Sequence, residues 1–214
     1  MPSAPVLQSL VEQSSAWSKG LTAHMLQPEE VARVLSSARV RFVLTGAHAT
    51  NAWTRRVRAT MDVDVVIASR DHRKAVRAVQ QAFPHLKARD TEVVTRFLDA
   101  KADQVVIDLM KPRDRLLKVL FKEEHVRWIR LGGERVAIPD LETAAALKFA
   151  AMVSPNRART DKMQDAVDFA RIVEANARLS LARLAHLAER VYRGGGEEAR
   201  RLVSAIRKGE PLVF

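Results

Sequence analysis

The sequence predicts an α/β fold, a short mixed β-sheet with flanking helices over residues 1–138, followed by a helical region over 139–214 packed against it. Three observations carry this expectation. Short apolar runs rich in Val and Ile, bounded by Gly, Pro and polar turns, are confined to residues 40–138. Segments with an apolar period of 3.6 alternate with those runs. Beyond Pro139 only helical patterning remains.

Taken in order, residues 5–19 form a weak amphipathic helix. "QPEEVARVLSSA" forms a better one from Pro28, with Glu29 and Glu30 placed to suit the helix dipole. Val40 to Leu44 are a strand that runs into Gly46, and the small residues from Ala47 to Trp53 begin a helix. After the basic stretch "TRRVRAT" comes the strand "MDVDVVIA". A helix follows, "DHRKAVRAVQQAF", with Asp71 as N-cap and Pro84 as its stop. "TEVVTRFLD" and "QVVIDLMKP" are a strand pair around "AKAD". "RDRLLKVLFKEEHV" reads as a helix and "WIRLGGERVAI" as a hairpin turning at Gly132-Gly133. Residues 141–153, 161–176, 180–192 and 197–208 read as helices, with the glycines at 194–196 a flexible joint.

The 214 residues are 47% hydrophobic, enough for a real core, and no run approaches the ~20 apolar residues of a membrane span. There is no signal-peptide pattern, and the absence of cysteine removes disulfide, thiolate-metal and thiol-nucleophile chemistry. A soluble, cytoplasmic protein is expected. The formal net charge of +11 favours a polyanionic partner, nucleotides included, although arginine on helix surfaces also serves solubility. With 5% aromatic residues, a stacking platform for single-stranded bases is not expected.

The chemistry centres on "MDVDVV". Residues two apart in a strand share a face, so Asp62 and Asp64 project together while Val63, Val65 and Ile67 face the other way. Carboxylates held so close repel, and a bound cation relieves the repulsion. Oxygen ligands with open positions suit Mg²⁺ completed by substrate phosphates. An Asp-x-Asp alone also suits a sheet edge or a turn. Asp108, in the apolar strand "VVIDLM", adds a third carboxylate that could complete a two-metal site for phosphoryl transfer. Gly46, between strand and helix, lets the backbone approach a phosphate. Lys148 is the one cation in the apolar helix "TAAALKFAAMV", on a stripe with Leu141, Ala145 and Met152. It either reaches the surface or enters a phosphate site. Arg55, Arg56 and Arg58 form a basic loop before the acidic strand, a solvated loop or a phosphate or RNA clamp, and His48 follows the glycine turn without a required role.

"VLTGAHATNAWTRRVRATMDVDVVI" resembles the signature of the DNA polymerase β-like nucleotidyltransferases, in particular the AbiEii-type branch with toxins of type IV toxin–antitoxin systems. "IPDLETAAALKFAAMVSPNRARTDKMQDAVDF" is similar to that branch's second block. The resemblance spans roughly residues 40–170. It implies a nucleotidyltransferase-fold sheet and a Mg²⁺-dependent transfer of NMP from NTP to an acceptor hydroxyl, with RNA or tRNA ends as the acceptor the toxin branch suggests. By position it implies that Gly46 and Ala47 form the phosphate turn. Asp62, Asp64 and Asp108 bind metal, Lys148 contacts the triphosphate, and Arg58 and Asp165 are further nucleotide-site residues. A cognate antitoxin or toxin protein is the implied partner. The alternative is a non-catalytic member acting as an antitoxin or nucleic-acid-binding module, since Ala47 stands where the pattern has a second Gly or Ser.

Overall fold

Parallel pairing of the two acidic strands organises the molecule. In this computed structural model, which describes residues 2–21, 26–54 and 57–213, β1 (Phe42–Leu44) pairs antiparallel with β2 (Val63–Ile67). The labels β3 (Leu86–Asp90), β4 (Val94–Asp99) and β5 (Gln104–Met110) follow in the chain. Strand β2 runs parallel to β5, β5 antiparallel to β4, and β4 antiparallel to β3, giving the order β1-β2-β5-β4-β3. The β2–β5 crossover is made by α4 (His72–Ala82) and the β3–β4 hairpin. Strand β2 sits inside the sheet, so Val63, Val65, Val66 and Ile67 are all buried.

Helices α1 (Ala4–Leu21) and α2 (Pro28–Ser37) precede the sheet. Pro28 opens α2, and Glu30 closes a capping box by accepting from the Gln27 backbone N–H at 2.9 Å. A separate hairpin, β6 (Val126–Leu131) and β7 (Glu134–Pro139), turns at Gly132 and Gly133, both at positive φ. It packs against α1 and β1. Asp140 caps α5 (Leu141–Val153), its carboxylate accepting from Thr143 N–H at 3.0 Å. Helices α6 (Arg159–Ala175), α7 (Leu181–Ala188) and α8 (Gly195–Lys208) complete the helical region. One hydrophobic cluster joins sheet and helices, from Ile107 and Phe97 to Phe149 and Phe169. Two hydrogen bonds brace the junction: the Trp53 indole N–H donates to Pro139 O at 3.0 Å, and Asn176 Nδ2 donates to Trp53 O at 2.7 Å.

Three expectations need correction, and one strand was not foreseen. Residues 113–126 are not a continuous helix but two 3₁₀ turns, Leu117–Phe121 and Glu123–His125, separated at Lys122 by extended backbone. Strand β3 had no sequence signal because only Leu86 in it is buried, so no alternation marks it. Asp71 stands at the N-cap of α4, yet its carboxylate accepts from Arg41 N–H rather than from the helix. The glycines at 194–196 are not a joint. Gly195 and Gly196 lie in the first turn of α8, where an added Cβ would come within 2.5 Å of Ala188 O and 2.8 Å of Ala185 O. They are glycines because α7 passes too close for a side chain.

Candidate active site

The register of two parallel strands sets the site. Asp64 on β2 lies opposite Asp108 on β5. Their carboxyl groups and that of Asp62, one residue ahead of β2, line one cleft of about 1900 Å³ between the sheet and helices α5 and α6. Gly46 faces the same carboxyl. Its φ is +60°, and a Cβ there would stand 1.9 Å from Asp64 Oδ2, so only glycine permits the approach. The preceding residue locks turn to strand, as Thr45 N–H donates to Asp64 O at 2.8 Å. Gly46 also opens α3 (Gly46–Asn51), with Ala47 beside it on the cleft wall. Thr60 Oγ donates to Asp62 Oδ1 at 2.6 Å.

The three carboxylates disturb one another. Burial, then the negative charges of Asp62 and Asp108, push the Asp64 carboxyl up to about 8, against the pull of Lys148 and Arg157. Burial raises Asp108 to about 6 against the pull of Arg96, with Asp62 adding to the rise. Arg96 Nε stands 3.5 Å from Asp108 Oδ2, while Asp108 Oδ1 is buried with no hydrogen-bond partner. That orphaned oxygen and the proton held on Asp64 mark a site short of positive charge. The acids do not close into a cage: among the described residues no three acidic or histidine side chains converge as a ready-made metal site. An open set of one or two carboxylates fits Mg²⁺, which keeps waters and takes substrate phosphates as further ligands. The donor set therefore fits the implied metal.

Opposite the acids stands a chain of ion pairs. Lys148, on α5, does not reach out to the surface. It is buried, with Nζ 3.0 Å from Asp165 Oδ1 and 2.8 Å from Asp168 Oδ2, both on α6. Arg157 Nε lies 2.6 Å from Asp165 Oδ2. Arg58 grips Asp168 with both arms, Nε to Oδ1 at 3.2 Å and Nη2 to Oδ2 at 3.0 Å. Burial alone would raise the Asp168 carboxyl, but Lys148 and Arg58 outweigh it and hold it below the usual carboxylate range.

Gly46, Ala47, Arg58, Asp62, Asp64, Asp108, Lys148 and Asp165 thus all line one cleft. Arg55 and Arg56 lie outside the described residues. His48 is not on the cleft wall. It is buried, its Nδ1 3.0 Å from Ser14 Oγ, and burial lowers it to about 4, so it is a neutral packing residue at neutral pH. Sequence reasoning missed Asp168, Arg157 and Arg96. The i, i+3 spacing of Asp165 and Asp168 was the available signal for the first.

The glycine turn, the carboxylates on a parallel strand pair and the opposing helical wall define a nucleotidyltransferase of the mixed-sheet type. The chain belongs to the AbiEii family, the nucleotidyl transferase toxins of type IV toxin–antitoxin systems, whose family model matches residues 31–211. It is similar in fold to an antigenic nucleotidyltransferase-like protein from Paracoccidioides brasiliensis, at TM-score 0.52 and 16% identity over 94% of this chain and 96% of that one. It is also similar to the antibiotic-resistance factor ANT(2'')-Ia, at TM-score 0.50 and 12% identity over 85% and 95%. No curated protein matches the chain. No helix of the described residues is long and apolar enough to cross a membrane.

Proposed function

We propose that this transferase moves a nucleoside monophosphate from a magnesium-bound NTP to a hydroxyl of RNA, tRNA ends in particular, as the toxin of a cytoplasmic toxin–antitoxin pair with a cognate antitoxin as its protein partner. The observation that carries the reading is the facing of the Gly46–Asp64 contact and its two neighbouring acids against Lys148 across one cleft. Asp62, Asp64 and Asp108 would hold Mg²⁺, which when bound neutralises charge on the triphosphate and the attacking oxygen. The backbone at Gly46 and Ala47 receives phosphate oxygens, since the first amides of a helix have no partners within it. Lys148 and Arg58 supply cationic contacts on the helical side, and Asp165 holds Lys148 in place. The acceptor oxygen forms a bond to the α-phosphorus as the bond to the bridging oxygen of pyrophosphate breaks. On this reading Asp108, whose side chain lines the cleft, takes the hydroxyl proton.

Two features favour a polyanionic acceptor. A cleft of about 1900 Å³ exceeds the roughly 300–1,000 Å³ of a pocket for one small ligand, so two substrates fit together. Arg96, Arg159 and Lys162 line it as well, in a protein of net charge +11. The test is incubation of the protein with each radiolabelled NTP, Mg²⁺ and total RNA or total protein. Label in RNA, lost in Asp64→Asn, is expected. Label in protein alone would move the acceptor to a protein hydroxyl, and no metal-dependent transfer with any NTP would end the proposal.

A further inference from the structure

Helix α6 carries two buried aspartates on a face that otherwise buries Ala166, Phe169, Ile172 and Val173. Buried ion pairs add little net stability over well-packed apolar residues, so packing alone gives no reason for Asp168. Its contacts do. One carboxylate binds the cation of α5 and the guanidinium of the segment entering β2, through Lys148 at 2.8 Å and Arg58 at 3.0 and 3.2 Å.

Arg58 is fixed from the other side as well. Its carbonyl accepts from Asn51 Nδ2 at 2.7 Å and from Ser14 Oγ at 3.3 Å, and its N–H donates to Asn51 Oδ1 at 3.2 Å. Residues 57–60 have no regular secondary structure, and these bonds help to hold them. Asp62 lies four residues on, bonded to Thr60 within the same segment. Asp168 therefore joins the helical wall to the strut that delivers the first metal-side carboxylate.

We infer that Asp168 is a positioning residue for nucleotidyl transfer, holding Lys148 and the 58–62 strut in one arrangement so that the cationic and acidic walls of the cleft keep register. It touches no substrate and acts through Arg58 and Lys148. The inference rests on the reading of the cleft as a magnesium–NTP site.

The experiment compares the full-length wild type, Asp168→Asn, Asp168→Glu, Arg58→Gln and the Arg58→Gln/Asp168→Asn double variant. Arg58 is partly exposed, so its replacement breaks the same pair while leaving the α6 core intact. Amide exchange of the 57–62 segment is measured without metal or nucleotide, and NTP affinity is measured with Mg²⁺. Asp168→Asn and Arg58→Gln should each speed exchange of 57–62 roughly ten- to hundredfold, the loss of a charge-assisted hydrogen bond, with β4 and β5 unchanged. The double variant should add little, and Asp168→Glu should restore part of the protection. NTP affinity should fall roughly tenfold or more in Asp168→Asn. Wild-type exchange over 57–62 in a folded single variant overturns the inference. So does a uniform rise over all core segments, or unchanged NTP affinity in Asp168→Asn. If the wild type binds no NTP while exchange follows Asp168, the substrate reading fails and the coupling stands.

Discussion

Asp64→Asn tests the charge balance of the cleft without any knowledge of the acceptor. In metal-free protein the Asp64 carboxyl is raised from 3.8 to about 8. Between those values the folded state holds a proton that the unfolded state has lost, so stability falls as pH rises through that window and levels off above it. A shift of that size corresponds to at most about 6 kcal/mol, at ~1.4 kcal/mol per pH unit. The strain is shared with Asp62 and Asp108 and titrates as a property of the trio, so about 2–3 kcal/mol is the gain expected from removing one charge. Asparagine keeps the shape and cannot ionise. With EDTA present, the variant should match the wild type only near pH 4, at the foot of that window, and gain on it as pH rises. At pH 8 it should melt higher by about 5–10 °C, taking ~2–4 °C per kcal/mol for a chain of this length. Mg²⁺ should then raise the wild-type melting temperature more at pH 8 than at pH 6, because metal competes with the proton, and should leave the variant unmoved. Thermal melts over this pH range, with EDTA or Mg²⁺, suffice. A variant no more stable than wild type at pH 8, or a stability gap independent of pH, would refute the account of Asp64.

Gly46→Ala should abolish Mg²⁺-dependent NTP binding, since a Cβ would sit 1.9 Å from Asp64 Oδ2 at a φ of +60°; isothermal titration and an urea melt showing wild-type behaviour would contradict the close approach. Lys148→Met should cost about 3–5 kcal/mol in urea unfolding, because it leaves the buried Asp165 and Asp168 short of a cation, whereas a lysine that merely reached the surface would give no loss.

Features written in local pattern were legible. The Val and Ile run of β2, the glycine pair of the β6–β7 hairpin and the bounds of α5 could be read because short-range chemistry fixes each of them. The acidic trio was legible for a similar reason. Aspartate inside an apolar strand is conspicuous, and the face shared by Asp62 and Asp64 follows from the two-residue period. The pairing of Asp64 with Asp108 depends on a parallel register set by a crossover, which no local rule supplies. Strand β3 was hidden because an exposed edge needs no apolar face.

The ion-pair chain was the least legible part, and the reason is physical. Asp168 looks in sequence like part of the solvated face of a helix, and Asp165 stands out only through the family resemblance. Arg58, the partner that makes Asp168 an interior residue, lies 110 positions away. Once both sets of acids are placed, their environments differ in kind. Those on α6 have Lys148, Arg58 or Arg157 within 3.2 Å, and burial is compensated there. Those at the sheet have, among the described residues, only Arg96 at 3.5 Å from Asp108 as an ion-pair partner. A deficit of positive charge on one wall thus faces cations on the other. On the proposed reading, a magnesium nucleotide, a divalent cation joined to a polyphosphate, would meet both walls in one orientation, with metal toward Asp62, Asp64 and Asp108 and phosphates toward Gly46 and the cations paired with α6. A free polyanion would leave the acids uncompensated, and a free cation would gain nothing from Lys148, so the division of charge favours the two bound as one ligand.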